Sequence, residues 1–122
     1  MVVVACRRCD QGLAKDLAAE AGARPSAVAA VRLDLSDSAS VIAAVQLLAD
    51  AGPAFDIMVL NAAVLETEVT FEATGGRFNR MFTVNYLHQT LLLRELNRWS
   101  LFPSPVTGVF FLNDHCRGAT LS

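Results

Sequence analysis

The sequence of this chain lacks the features that would place a protein in a membrane or outside the cell. Among its 122 residues, no apolar run reaches the roughly 18 residues that a membrane-spanning helix needs. The opening apolar stretch meets charge at Arg7, too early for the apolar part of a signal peptide. Three cysteines are an odd number and a poor disulfide framework. We therefore expect no membrane span and a reducing, cytoplasmic setting.

The sequence also lacks an excess of positive charge. The net charge is −2, the sequence pI is about 5.6 and the arginines are spread along the chain, so we expect no nucleic-acid partner. Hydrophobic residues make up 53% of the chain and charged residues 18%, which is enough apolar material for a folded core. The length allows a single domain over residues 1–122.

Short apolar runs alternate along the chain with longer stretches of helical periodicity. The runs predict strands at 2–5, 27–33, 56–60 and 106–112, and the stretches between them predict three helices. Asp10 and the segment 34–37 supply helix caps, Gly22 and Gly52 supply stops, and the longest helix is predicted at about 78–99. Crossovers of this length require parallel strands. The predicted fold class is therefore α/β.

Four short segments resemble, in order, those of the short-chain dehydrogenase/reductase superfamily. They are Val3–Arg7 (second strand and following arginine), Leu33–Ser36 (Asp-Leu after the third strand), Leu60–Ala63 (Asn-Ala-Gly after the fourth strand) and Phe82–Leu87 (Phe-x-Val-Asn-x-Leu in the long helix). The details are most similar to the retinol-dehydrogenase-like branch. The resemblance extends from Val2 to about Gly118. It implies a partial doubly wound, Rossmann-like parallel sheet of about four strands, and an oxidoreductase that uses NADP on alcohol or carbonyl groups.

The resemblance assigns cofactor-binding roles to four residues. Arg7, helped by Arg8, would face the 2′-phosphate of NADP, since a guanidinium binds phosphate bidentately; a solvated arginine is the alternative. Asp34 would contact adenine, although it is equally suited to cap the next helix. Asn61 and Ala62 would flank the cofactor, although an asparagine here is also typical of a turn.

Asn85 is the one member of the family's catalytic tetrad that the sequence retains. An amide in an otherwise apolar helical face is costly unless it is paired. In the family the matching asparagine anchors a water of the proton relay. The alternative is a buried amide that satisfies helix backbone. The family's glycine after Asn-Ala is Ala63 here, which gives the loop less freedom to approach a ligand.

The other catalytic groups of the family are missing from the sequence. The chemistry uses a tyrosine with a lysine four residues later, but the chain has only Tyr86, followed by Thr90, and its single lysine is Lys15. Leu112 and Asn113 occupy the positions of the serines after the last strand. We therefore expect a fragment, truncated form or pseudoenzyme that transfers no hydride alone.

The Gly-rich phosphate loop is also missing, together with the strand before it. No such segment precedes Val2, and Gly75 and Gly76 lie at the wrong place in the order. In a sheet of this topology the missing strand is central. Its neighbours, Val2–Cys6 and 56–60, would then either pair directly or face an unfilled slot. We expect direct pairing, because orphaned backbone groups cost about 1–3 kcal/mol each.

Three other hypotheses remain at this point. Cys6 and Cys9 form a Cys-x-x-Cys between a strand and a helix, where thiol-redox pairs occur. A metal site using both of them with His115 and Cys116 has a weak signal, and we predict no metal. The long helix 78–99, if left uncovered, would bind a protein partner or a second copy of the chain.

Overall fold

The first two strands form a parallel pair at the start of the chain. The computed structural model describes residues 1–52, 54–65 and 78–101, and the backbone of 108–111. In it, β1 (Val2–Cys6) pairs with β2 (Val28–Arg32) over its whole length. The Leu33 amide donates to the Cys6 carbonyl at 2.9 Å and extends this ladder. A 3₁₀ turn at Pro25–Ala27 precedes β2, so the strand begins one residue later than predicted.

The helix between these strands begins and ends where the sequence predicts. Asp10 caps α1 (Gln11–Glu20) by accepting a hydrogen bond from the Leu13 amide at 2.8 Å. Gly22, at φ +64°, follows the helix. Ala14 and Ala18 are buried, and their small side chains allow α1 to lie close to β2.

The second helix supplies much of the core. Asp37 caps α2 (Ser38–Ala51) by accepting from the Ala39 amide at 3.0 Å, and Gly52 ends it at φ +88°. Val41 and Val45 are fully buried. A side chain of this size contributes about 1.5–3 kcal/mol when buried, so this face attaches α2 firmly to the core.

The core lies where α2 meets the carboxyl ends of the strands and the long helix. Its buried residues are Leu33, Leu35, Val41, Ala44, Val45, Leu60, Val84, Leu92, Leu96 and Leu101. The Phe55 amide donates to the Leu101 carbonyl at 2.6 Å, which connects the end of the long helix to the segment before the third strand. This core thus joins α2, the end of the third strand, the long helix and the segment after β2.

The long helix contains a feature that the sequence did not indicate. It consists of α3 (Arg80–Phe82), a π-helical turn (Thr83–Leu87) and α4 (His88–Arg98), which follow one another without a break. Asn79 caps its start by accepting from the Phe82 amide at 2.7 Å. The observed ends lie within two residues of the predicted 78–99. In the described part of the chain, no helix has the length and apolarity to cross a bilayer.

The remaining two strands form a second parallel pair. β3 (Ile57–Leu60) pairs with β4 (Gly108–Phe111), with Ile57 opposite Gly108. The four predicted strands are therefore present, within an α/β fold of flanking helices. They form two two-stranded sheets, one of β1 and β2 and one of β3 and β4.

The expected direct pairing of β1 with β3 is wrong. In the described residues each of these strands has one hydrogen-bonded neighbour, β2 or β4. Between them lies a groove of about 670 Å³, which we call the β1–β3 slot. Its lining includes Val2, Val3 and Ala5 of β1, all four residues of β3, and Ala44, Leu48, Leu92 and Leu96 from the helices. The structure therefore has the unfilled slot, since the helices packed beneath hold the two sheets apart.

Candidate functional site

A small pocket lies where β1 and β2 end and the segment after β3 passes. We call it the strand-end pocket; its volume is about 200 Å³. It is lined by Ala5, Cys6, Arg7, Leu33, Asp34, Leu35, Ser36, Ala62, Ala63, Val64, Arg80 and Val84. The carboxyl ends of parallel strands are the usual ligand side of an α/β sheet. Three of the four residues predicted to bind a cofactor, Arg7, Asp34 and Ala62, thus lie around one cavity.

Asp34 is held in the pocket by its own turn. Its Oδ1 accepts from the Ser36 hydroxyl at 2.7 Å and from the Ser36 amide at 2.9 Å, and its amide donates to Ser40 Oγ at 2.9 Å. The alternative that Asp34 caps α2 is wrong, because Asp37 performs that role. Asp34 therefore presents a carboxylate to the cavity from a fixed turn.

The pocket keeps this carboxylate ionised. The side-chain hydrogen bond from Ser36 lowers the pKa of Asp34 most, and partial burial raises it by less. The Ser36 amide and the positive charges of Arg7 and Arg80 lower this pKa further. The pocket therefore combines one anion with two cations.

Arg80 is a pocket residue that the sequence reasoning missed. It is half-buried in the first turn of the long helix, 46 positions after Asp34 in the chain. Nothing in the local pattern distinguishes this arginine from a solvated one, because its proximity to the pocket depends on how the long helix packs. Together with Arg7 it gives the pocket two guanidinium groups, the side chains best suited to phosphate.

Three polar side chains of the long helix bind the loops that form the pocket. Asn85 accepts from the Val64 amide and donates to the Val64 carbonyl, both at 2.8 Å. Gln89 donates to the Ala62 carbonyl at 2.7 Å. His88 Nδ1 lies 2.6 Å from the Leu35 carbonyl oxygen, so this nitrogen carries the proton. These bonds thus fix the loops after β2 and β3 to the long helix.

Two other predicted residues, Asn61 and Asn85, do not line the strand-end pocket. Asn61 is exposed and lines the β1–β3 slot rather than the strand-end pocket. Asn85 has both ends of its amide bonded to Val64, so the alternative of an amide that satisfies helix backbone is wrong in its partner, because this backbone belongs to the loop after β3. Its side chain therefore positions the pocket wall. Its catalytic role stays a prediction.

A disulfide bond closes the turn between β1 and α1. It joins Cys6 to Cys9, with their Cα atoms 5.3 Å apart. The odd cysteine count therefore does not prevent a local pair from forming. Cys6 and Arg7 both line the strand-end pocket, so the bond lies at its edge.

The proposed catalytic and metal positions are only partly described. Tyr86 is 61% exposed on the long helix, and its carbonyl accepts from the Thr90 hydroxyl at 2.9 Å. Residues 112 and 113, which align with the family's serines, lie outside the described residues, as do Gly75, Gly76, His115 and Cys116. Within the described ranges, no group of three potential metal ligands is present.

Comparison with known proteins agrees with this architecture. The family model described as "short chain dehydrogenase" matches residues 1–98. The Pseudomonas aeruginosa RhlG/NADP active-site complex superimposes with a TM-score of 0.62 at 19% identity, covering 90% of this chain and 43% of that one. Two double variants of a Serratia marcescens short-chain dehydrogenase/reductase give TM-scores of 0.54 and 0.55 at 27% and 28% identity. No curated protein sequence matches.

These matches define the class of the protein. The chain belongs to the short-chain dehydrogenase family, because the family model covers most of its length. It spans about 40% of the length of the Serratia structures, while those alignments cover 79% of this chain. The described strands and helices are accordingly those of a Rossmann-type α/β fold.

Proposed function

We propose that this chain binds the adenosine end of NADP and belongs to an NADP-dependent oxidoreductase that acts on alcohol or carbonyl groups. Within the family we place it in the retinol-dehydrogenase-like branch, where it most resembles the WW domain-containing oxidoreductase in its Ala-Cys-Arg and Val-Asn-x-Leu segments. The cytoplasmic location predicted from the sequence is part of the same proposal.

The observation that carries the proposal is the chemistry of the strand-end pocket. Arg7 and Arg80 supply two cations and Asp34 one carboxylate around a cavity at the carboxyl ends of two parallel strands. A 2′-phosphate suits the guanidinium groups, and a carboxylate suits the hydrogen-bond donors of an adenine. The Pseudomonas aeruginosa RhlG/NADP complex shares this fold. The residues present therefore fit the adenosine half of the dinucleotide.

The pyrophosphate and nicotinamide parts of the dinucleotide have fewer groups to bind them. A pyrophosphate needs backbone amides at a Gly-rich turn and a helix N-terminus. Neither β1 nor β2, the strands that end at the pocket, leads into a Gly-rich segment. The acid/base tyrosine with its lysine is missing from the sequence. We therefore propose that residues 1–122 bind nucleotide weakly and transfer no hydride.

Binding of the 2′-phosphate tests the pocket directly. Adenosine 2′,5′-bisphosphate and AMP differ by that group, and their dissociation constants are measured by isothermal titration calorimetry. We expect the bisphosphate to bind about tenfold more tightly, since a charge-assisted hydrogen bond contributes about 1.5–3 kcal/mol. Equal affinity, or no binding of either ligand at millimolar concentration, contradicts the proposal.

A matched pair of variants assigns the preference to the pocket. Arg7→Ala removes a pocket cation, and Arg24→Ala removes an exposed arginine ahead of β2. We expect the first variant to abolish the preference for the bisphosphate and the second to leave it unchanged. In parallel, NADPH oxidation with ketone substrates should stay at the background rate. Turnover by the purified chain contradicts the proposed inactivity.

A second candidate function is association through the long helix. Phe78, just before the helix, and Phe82 and Tyr86 on it form a row of tilted rings, with successive ring centroids 5.4 Å apart, and expose 41%, 42% and 61% of their surfaces. Aromatic residues are enriched at protein interfaces. We propose that this aromatic ridge contacts a second copy of the chain.

Light scattering after size-exclusion chromatography tests the association. Tyr86→Glu places a charge on the ridge, and Leu47→Glu places the same charge on an equally exposed apolar position of α2. We expect the wild-type chain and the Leu47→Glu variant to associate with increasing concentration and the Tyr86→Glu variant to remain monomeric. A wild-type chain that is monomeric at all concentrations rules out this function.

A further inference from the structure

The disulfide between Cys6 and Cys9 occupies an unusual place in the molecule. It closes a four-residue turn between the end of β1 and Asp10, the cap of α1. Both cysteines are half-buried, and the two residues inside the turn, Arg7 and Arg8, are exposed. The disulfide is therefore close to solvent, and the turn that it closes carries two positive charges.

We propose that this pair is a site of reversible thiol–disulfide exchange with anionic low-molecular-weight thiols. The second part of the proposal rests on the proposed function: the disulfide fixes Arg7 at the strand-end pocket, so that oxidation strengthens binding of the 2′-phosphate and reduction weakens it. The nucleotide site is then regulated by the thiol state of the surroundings.

The exchange proceeds in two balanced steps. A thiolate of the small molecule attacks Cys6 Sγ, which lines the pocket; the bond between Cys6 and Cys9 breaks, and Cys9 leaves as a thiolate beside the start of α1, where positive charge stabilises it. A second small thiolate then attacks the small molecule's sulfur in the mixed disulfide and releases Cys6. Two small thiols are oxidised to their disulfide, the protein pair gains two electrons, and water protonates the two protein thiolates.

The structure also explains why the reaction reverses. Cys9 Sγ lies 3.7 Å from the Val4 carbonyl oxygen, which gives the reduced thiol an acceptor within its own turn. The cap formed by Asp10 does not depend on the disulfide. The two sulfurs therefore stay near each other after reduction, and the small-molecule disulfide can oxidise them again.

The charges in the turn select the partner. Arg7 and Arg8 attract a thiol that carries carboxylates and repel a cationic one. Glutathione, 2-mercaptoethanol and cysteamine provide an anionic, a neutral and a cationic probe. After correction for the pKa of each thiol, we expect glutathione to react fastest and cysteamine slowest.

The test uses the Cys116→Ser variant, in which the sequence leaves only this pair. The protein is equilibrated with mixtures of glutathione and glutathione disulfide, its thiols are trapped with an alkylating agent, and the products are counted by mass spectrometry. We expect a single two-electron transition. A pair that never oxidises, or that never becomes reduced, overturns the proposal whether or not nucleotide binds.

Two further variants separate charge attraction from simple accessibility. Arg8→Gln should slow the reaction with glutathione about threefold, the size expected for an exposed charge pair, and leave 2-mercaptoethanol unchanged. Arg24→Gln, the control, should change neither rate. An equal loss with both probes contradicts the selection of anionic thiols.

The coupling to the pocket is measured on the same protein. Adenosine 2′,5′-bisphosphate should bind about fivefold more weakly after reduction, because one freed residue costs about 1 kcal/mol of backbone entropy. Equal affinity in both states overturns the coupling. Reversible oxidation without nucleotide binding in either state overturns the proposed function and leaves the exchange site standing, so the two failures are distinguishable.

Discussion

Two regions of the molecule differ sharply in how far their backbone groups are hydrogen-bonded. They are the loops at the carboxyl ends of the strands and the facing edges of β1 and β3. At the strand ends, Asn85, His88 and Gln89 bond the backbone of the loops that form the pocket. Along the β1–β3 slot, neither strand has a ladder partner on that side within the described residues. The long helix therefore fixes the loops of the pocket, while the facing edges of β1 and β3 stay unpaired within the described residues.

This difference shows that the site and the sheet depend on different interactions. The pocket walls need no bond across the slot, because the helix reaches both loops directly. The slot, by contrast, lies between two two-stranded sheets that share no ladder within the described residues. Changes to the helix should therefore affect the pocket strongly, and changes to the slot should affect the exposed apolar surface more than stability.

The largest expected effect is at Asn85. Asn85→Leu removes both bonds to Val64 and leaves an amide and a carbonyl unpaired, which should cost about 2 kcal/mol of unfolding free energy in urea. Asn85→Asp keeps the acceptor but places a carboxylate against the Val64 carbonyl. This variant should recover stability at acid pH, where the new carboxyl group can donate. A loss in Asn85→Leu below about 0.5 kcal/mol, the level of an ordinary surface change, contradicts the role assigned to this side chain.

A smaller effect is expected at Gln89. Gln89→Leu removes the single bond to the Ala62 carbonyl and should cost about 1 kcal/mol. Gln46→Leu makes the same chemical change at an exposed position of α2 and should cost less. Equal unfolding free energies for the two variants would show that the bond to Ala62 does not hold the loop.

A residue of the pocket could be predicted from the sequence when the pattern that indicates it lies in the neighbouring residues of the chain. Arg7, Asp34 and Ala62 were assigned through the resemblance of their short segments to the family, and each follows an apolar strand, where open α/β sheets bind ligands. Asp10 and Gly52 were predictable for the same reason, since a cap acts within one turn of chain. These positions required no knowledge of packing.

The parts that were missed or wrong depend on contacts between distant segments. Arg80 lines the pocket, and His88 and Gln89 bond its loops, only because the long helix packs against them. No pattern in the neighbouring residues indicates those contacts. The pairing of β1 with β3 was judged from the cost of orphaned edges alone. The core formed by Leu92, Leu96 and α2 separates the sheets despite that cost. The cost of unpaired backbone groups, considered alone, therefore predicted the wrong pairing of the strands.

The slot should respond to charge with little change in stability. Val59 lines the slot and is 53% exposed. Val59→Lys should change unfolding free energy by about 0.5 kcal/mol or less but reduce binding of an apolar dye, because it places a charge on the apolar lining of the slot. Leu47→Lys, on α2 and outside the slot, should leave dye binding unchanged. Unchanged dye binding in Val59→Lys would show that the slot is not an accessible apolar surface.

The smallest effect at neutral pH is expected at Asp34, and it tests the pocket by titration. The pKa of Asp34 in the folded chain lies below its ordinary value of 3.8, chiefly because Ser36 donates to the carboxylate. A lowered folded-state pKa contributes stability that is fully present above the ordinary value and is lost as pH falls through the folded-state pKa. Urea unfolding from pH 5 down to about 2 should therefore show a decline that Asp34→Asn lacks. Ser36→Ala should reduce the decline more than Arg7→Ala does, because the hydrogen bond outweighs the distant charge. The reverse order would place the main stabilisation of this carboxylate on the arginine, and the pocket would then depend on its cations for its shape as well as for its ligand.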